Sequence, residues 1–324
     1  MCTNRVYSVL AGLLLLCGCA TVPVTGRTQL MLVGDTQMVA MGSQAFQEVL
    51  SQEKKVEDPA VQQRVQTVGS RIARAAEEHL ASLGQPIQYQ WEFVALDNDE
   101  VVNAWCLPGG KVAVYSGLLK LVPTDDELAV VVSHEIAHAV SRHGNERMSQ
   151  ALLVELGGTA LDTALAQRPE KTRSLYLQVF GVTANLGFLL PYSRQQEYEA
   201  DHVGLILMAR AGYDPAAALT FWEKLSAEGG PRVPEFLSTH PAPENRIAAI
   251  RALIPEANKY RPSGSSVSQV APGPAVPVAS PPGGGGPAPA SSRPAPGPSP
   301  APLSVPGPPP VHAPSLAPAP APAR

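Results

Sequence analysis

His134-Glu135-Ile136-Ala137-His138 sits in the middle of a segment that reads as helix. Histidines four apart stand one above the other on a helical face, so both can reach one metal ion. The glutamate between them points about 100° around the helix, beside such an ion and next to any water it carries. Outward from this stretch, Thr124 with Glu127 makes a capping box, and Asp125, Asp126 and Glu127 suit the positive end of the helix dipole. Leu128, Val131, Val132, Ile136 and Val140 recur at helical spacing, and Gly144 supplies a stop. Together these signals predict a largely buried helix over 125–143. Ordinary hydrogen bonds satisfy a lone buried histidine, but two of them around a buried glutamate are hard to account for without a cation. His143, at the helix end, reads as a surface or C-terminal-turn histidine suited to the dipole there.

Catalytic zinc usually takes three protein ligands and keeps one position open. A third histidine six residues after the second is excluded, because that position is Gly144. Carboxylates are offered instead by Ser193-Arg194-Gln195-Gln196-Glu197-Tyr198-Glu199-Ala200-Asp201. Ser193 with Gln196 forms a second capping box and Gly212 a stop, predicting a helix over 194–211. Glu197 and Asp201 are four apart and share a face. One can bind the metal while the other orients a ligand imidazole. The alternative is a solvated acidic face that includes Glu199. Val203, Leu205, Ile206 and Leu207 argue for burial, and Gly204 allows a close helix–helix approach.

The two motifs, His134-Glu135-x-x-His138 and Ser193-Arg194-x-x-Glu197-x-Glu199-Ala200-Asp201-x-x-Gly204, resemble those of the HtpX/BepA/LoiP group of metallopeptidases, gluzincins related to the CAAX prenyl endopeptidases. Asn103-Ala104 before Pro108-Gly109-Gly110, then Ser116-Gly117-Leu118-Leu119, then Ser238-Thr239-His240-Pro241 ahead of Arg246-Ile247 extend the likeness over residues 30–255. The resemblance implies one Zn2+ per chain held by His134, His138 and Glu197, with Glu135 as general base and Asp201 as an acid behind the ligands. It also implies that His240 approaches the metal, either steadying the oxyanion or filling the open position at rest. Arg246 would contact the substrate carbonyl or only neutralise Glu244. The implied activity is zinc-dependent endoproteolysis of misfolded or misassembled cell-envelope proteins, in protein quality control. Competing classes are a chaperone-like or scaffolding lipoprotein with a latent zinc site, and a cell-wall-binding lipoprotein working through its tail.

At the N-terminus, the apolar run Val6–Leu16 follows Arg5 and is too short to span a bilayer, as in a signal peptide. Leu16-Cys17-Gly18-Cys19 looks like a lipobox with Cys19 as the lipid acceptor; a simple signal peptide is the alternative. Ala20 after the acceptor resembles an outer-membrane sorting signal, facing the periplasm. After processing only Cys19 and Cys106 remain, so no intramolecular disulfide is expected, and Cys106 reads as a buried small hydrophobe. Leu152–Ala166 and Leu175–Leu190 are broken by polar residues and read as core or groove-lining helices. This departs from HtpX and the prenyl proteases, which are integral membrane proteins, so prenylated peptides are not expected substrates.

The organisation expected is a signal peptide at 1–18, a lipidated tether at 19–33, a metallopeptidase domain at 34–261 and a disordered Pro-rich tail at 262–324. The tail holds 21 of the 34 prolines and only two charges, Arg293 and Arg324, so it cannot bury a core. It is a spacer, or a contact to peptidoglycan or a protein partner. Without those arginines, 22 basic residues face 28 acidic ones, a net charge of −6 that gives no reason to expect nucleic-acid binding.

Helices are expected at 35–53 and 59–82, the second with Val61, Val65, Val68, Ile72 and Ala76 on one face. Ile87, Tyr89, Trp91, Phe93 and Ala95 alternate with polar residues as in a strand. Val101–Leu107 and Lys111–Tyr115 add two more, joined at Pro108-Gly109-Gly110, while the acids of 97–100 read as a solvated loop. The fold class is therefore α+β, mainly helical, a zincin-like domain with a small antiparallel sheet beside the zinc helix. The sheet edge could accept an extended peptide as an added strand. Segment 145–190 would either cover that edge or act as a movable lid.

Overall fold

The computed structural model describes residues 19–166, 194–227, 235–240 and 245–262. The expected signal peptide, the capping box at Ser193, the apolar stretch 175–190 and the Pro-rich tail beyond Pro262 fall outside these residues. The elements run β1 (Cys19–Thr21), β2 (Thr28–Leu30), α1 (Asp35–Gln52), α2 (Pro59–Ser82), β3 (Glu92–Leu96), β4 (Ala104–Leu107), β5 (Lys111–Tyr115), α3 (Ser116–Leu121), α4 (Asp125–Val140), α5 (His143–Leu165), α6 (Arg194–Arg210), α7 (Ala217–Ala227), α8 (Glu235–Thr239) and α9 (Arg246–Ala257).

Helix α2 begins where its local chemistry says it should. Asp58 caps it by accepting from the Ala60 amide at 2.8 Å, and Pro59 occupies the first turn, where its missing N–H costs nothing. Its Val65, Val68, Ile72 and Ala76 face the core. That core is shared with α4, α6 and one face of the sheet.

The sheet has strand order β3-β5-β4. The expected antiparallel hairpin pairs Ala104 with Val114 and Leu107 with Lys111, turning through Gly109 and Gly110, both at φ 87°. β3 joins β5 in parallel, Glu92 opposite Lys111 and Leu96 opposite Tyr115, so the sheet is mixed. Pairing is shorter than the alternation suggested, since 87–91 and 101–103 lie outside the named strands. Both faces are covered: Phe93 and Ala95 meet the main core, while Val94 and Leu96 pack with Phe46 of α1. The acidic loop is local in role. Asp99 accepts from the Ser116 hydroxyl at 2.7 Å and pairs with Lys120 at 2.6 Å.

Helix α4 carries the predicted capping box, Glu127 N to Thr124 Oγ1 and Thr124 N to Glu127 Oε2, each 3.3 Å. It is buried almost all round, from Leu128 to Val140. Its end differs from expectation. The chain stops at Val140, turns through Arg142 in the left-handed region (φ 60°), and restarts as α5 at His143. Gly144 is inside α5 and is not the stop.

The segment 19–33, expected as a tether, is folded onto the domain. β1 and β2 form a two-stranded antiparallel ribbon with Val22 buried. Gln29 Nε2 donates to the Ser141 carbonyl at 3.1 Å, Ser149 Oγ accepts from the Leu32 amide at 2.8 Å, and Asn145 Nδ2 donates to the Val33 carbonyl at 2.7 Å. Val24, at the ribbon tip, sits at φ 71°, a conformation a β-branched residue adopts only when its surroundings hold it there. Among the described residues no helix is long and apolar enough to cross a membrane.

Gly204 does what its position suggested. A Cβ there would lie 3.2 Å from both Cα and N of His134, because α6 crosses α4 at this point. Gly204→Leu must push the two helices apart. We expect a loss of about 1–3 kcal/mol of stability, as for other overpacked cores. A urea midpoint unchanged from wild type would refute the tight crossing.

Candidate metal centre

Helix α4 presents His134 and His138 on one face, with Nε2 atoms 3.1 Å apart. Helix α6 crosses it and brings Glu197, fully buried, to 3.5 Å from His134 Nε2 and 3.4 Å from His138 Nε2. The last residue after α8, His240, adds Nδ1 at 3.2 Å from His134 Nε2 and 3.2 Å from Glu197 Oε1. Its ring is fixed by stacking on Phe236, centroids 4.6 Å apart, and its amide donates to the Phe236 carbonyl at 2.8 Å. The four side chains offer ligand atoms that all lie within 4.8 Å of one another. Among the described residues this is the one such group.

The cage fits a divalent cation. Ring nitrogens and a carboxylate converge on one small volume, the nitrogen and oxygen set that zinc takes. Its electrostatics also favour positive charge. Burial disfavours a charged His134, yet contact with Asp201 and Glu197 draws its pKa up to about 9. Burial likewise works against ionised Glu197, but His134, His138 and His240 hold it far below the ordinary carboxylate range.

Glu135 lies beside the cage, as its 100° offset on the helix requires. Its carboxylate is buried, and burial raises its pKa. Oε1 is 3.3 Å from His240 Nε2 but out of line for a hydrogen bond. The Cys106 backbone of β4 lies against this carboxylate, which places the base beside the sheet edge. Beside it opens a cleft of about 550 Å3, lined by Tyr89, Cys106, Leu107, Pro108, His138 and Arg142.

Asp201 stands behind His134, Oδ1 3.1 Å from Nδ1 though out of line for a hydrogen bond, where its charge can orient that imidazole. Arg246 requires a correction. It faces neither solvent nor cleft: it is 1% exposed, grips Asp201 through Nε and Nη2 at 2.8 Å each, and reaches Glu197 Oε2 with Nη1 at 2.9 Å. Its guanidinium lies 3.7 Å from the Trp222 ring centroid. A side chain so enclosed cannot meet a substrate carbonyl; it positions two carboxylates. Glu244, its other suggested partner, falls outside the described residues.

His143 is the second correction. The Arg142 turn swings it inward, so it is fully buried instead of surface-exposed. Its Nδ1 is 2.9 Å from His138 Nδ1 and its Nε2 is 3.0 Å from Glu199 Oε2, and burial lowers its pKa. Glu199, weighed as a solvated acid, is buried too. Burial raises its pKa, but bonds from His143, Arg27 and Thr25 bring it down to about 2. Sequence reasoning missed these two and Arg27. Glu199 is two residues from Glu197 and so points to the far side of α6, where His143 of α5 and Thr25 and Arg27 of the ribbon turn meet it. Cys19, at the start of β1, is exposed.

Residues 59–254 match peptidase family M48. The chain belongs to that family. Relatives include mitochondrial metalloendopeptidase OMA1 of Schizosaccharomyces pombe, 39% identical over 178 residues, covering 53% of this chain and 49% of that protein. Metalloendopeptidase OMA1 of Bos taurus is 34% identical over 249 residues, covering 74% and 46%. The beta-barrel assembly-enhancing protease of Escherichia coli is 29% identical over 248 residues, covering 75% and 48%. The chain thus spans about half the length of these relatives. M48 peptidases are zinc-dependent, and the His134, His138, Glu197 and His240 cluster is where this member can hold its ion.

Proposed function

We propose that the chain is a zinc-dependent endopeptidase of misfolded or misassembled cell-envelope proteins, held by lipid on Cys19 at the outer membrane and facing the periplasm. The observation that carries the chemistry is a buried Glu135 beside a cage of two imidazoles and Glu197. When bound, zinc supplies a Lewis acid for the scissile carbonyl and acidifies water in the site. Glu135 accepts the water's proton and delivers it to the leaving amine. Asp201 keeps His134 in the tautomer that leaves Nε2 free of a proton. Strand β4 is an edge strand next to Glu135, so an extended peptide can pair with it through its backbone. Backbone pairing asks little of side chains and suits unfolded substrates. The envelope location is supported by Val6–Leu16, the Leu16–Cys19 lipobox and the likeness to the beta-barrel assembly-enhancing protease of Escherichia coli.

The test is metal removal. Chelated protein should lose casein hydrolysis and regain it with one equivalent of zinc. Hydrolysis that persists in metal-free protein would overturn the proposal.

A second reading, a latent resting enzyme, is favoured by the place of His240. Its Nδ1 sits within the ligand cluster and its Nε2 faces the base, where substrate and water must enter. On this reading His240→Ala raises casein turnover. Loss of turnover would instead assign His240 to the oxyanion, and no change would sink both roles.

A further inference from the structure

The two zinc-type histidines are backed in different ways. His134 has a carboxylate directly behind it, Asp201, 3.1 Å from Nδ1. His138 has another histidine, His143, at 2.9 Å between Nδ1 atoms. Two ring nitrogens at that distance share one proton, so one donates and the other accepts.

The proton order follows from the metal reading, on which this inference rests. A His138 that gives Nε2 to the ion carries its proton on Nδ1 and donates it to His143 Nδ1. His143 then bears its own proton on Nε2, which lies 3.0 Å from Glu199 Oε2. Glu199 also accepts from Arg27 Nε at 2.9 Å and from the Thr25 hydroxyl. Arg27 forks onto Glu146 with two bonds of 2.7 Å, and Gln196 donates to the same carboxylate at 2.6 Å. Each proton has one place, and the series runs unbroken from the cage to the tip of the N-terminal ribbon. Thr25 and Arg27 lie in the turn between β1 and β2, outside the residues 59–254 that match the family.

We propose that Thr25 and Arg27 of the N-terminal ribbon, acting through Glu199 and His143, position His138 for zinc, so that the ribbon is part of the metal centre. The M48 domain alone would hold its ion less tightly than the whole chain. Partners behind a ligand histidine typically contribute about 10–100-fold in metal affinity.

The experiment measures zinc affinity of the full chain by competition with a chromophoric chelator, together with the visible spectrum of the cobalt-substituted protein. Arg27→Ala and Glu199→Gln should each weaken zinc by about 10–100-fold and shift the cobalt bands. Arg27→Lys should recover part of the loss, since it restores the charge but not the fork. Thr25→Val, which removes one hydroxyl with little change of shape, covers the case in which Arg27→Ala does not fold; it should weaken zinc more mildly. Arg64→Ala is the control for simple loss of stability. Arg64 joins α2 to Asp125 and to the carbonyls of Val122 and Thr124, away from these contacts, and its loss should leave zinc affinity and the cobalt bands unchanged. The proposal is overturned if the Arg27, Glu199 and Thr25 variants bind zinc like wild type, or if Arg64→Ala weakens zinc as much as they do. A wild-type chain that takes up no zinc overturns the metal reading itself, which separates the two failures.

Discussion

Glu135→Gln should keep its zinc and lose casein hydrolysis by about 10²–10⁴-fold, the usual contribution of a positioned general base. The side chain keeps its volume and its place beside the cage, so the fold and the candidate ligands His134, His138 and Glu197 should be undisturbed. What disappears is the ability to take a proton from water. The amide cannot substitute, because it has no basic oxygen at neutral pH. Burial already lifts the Glu135 pKa, which brings its affinity for a proton nearer the working range of a base. The measurement pairs metal content with initial rates on casein. A variant with one zinc per chain and near-wild-type turnover would exclude Glu135 as the base and leave the M48 mechanism without its proton acceptor.

Arg246→Ala should destabilise the zinc-loaded protein by about 3–5 kcal/mol, the typical cost of stripping one partner from a buried ion pair. Arg246 makes two bonds of 2.8 Å to Asp201 and one contact of 2.9 Å to Glu197, with no solvent to replace them. Burial pushes the Asp201 pKa up, and the Arg246 charge is the first influence that brings it down again. Removing the guanidinium therefore leaves an acid that must either stay charged without a partner or take up a proton. Either outcome loosens His134, which Asp201 orients. It also opens a cavity against Trp222. Arg246→Lys should fall between, because a single ammonium cannot bridge two carboxylates as the planar fork does. Urea unfolding reads the effect, and a loss below about 1 kcal/mol, ordinary for an exposed ion pair, would show that the pair is not the strut the geometry describes.

Much of the site was legible because helical spacing is rigid. His134, Glu135 and His138 are fixed relative to one another by the α4 helix alone, and Glu197 and Asp201 by α6 alone. Local capping made the starts of α2 and α4 readable in the same way. Extended segments were less legible. The period-2 pattern from Ile87 to Ala95 marks a chain that alternates its side chains, but the strand is Glu92–Leu96, because its parallel partner β5 begins only at Lys111, opposite Glu92.

The sequence by itself determined the pairs His134/His138 and Glu197/Asp201 and the place of Glu135 beside the first, since those relations lie within single helices. Only the tertiary structure decided that Arg246 is a buried strut, that His240 turns its Nδ1 to Glu197 and its Nε2 to Glu135, and that His143 and Glu199 link His138 to Arg27. The physical reason is distance along the chain. Arg27 and Glu199 are 172 residues apart, and their 2.9 Å contact depends on how the ribbon, α5 and α6 pack. No local period or cap encodes that packing. The inward turn of His143 depends on one left-handed residue, Arg142, a conformation that its side chain does not announce.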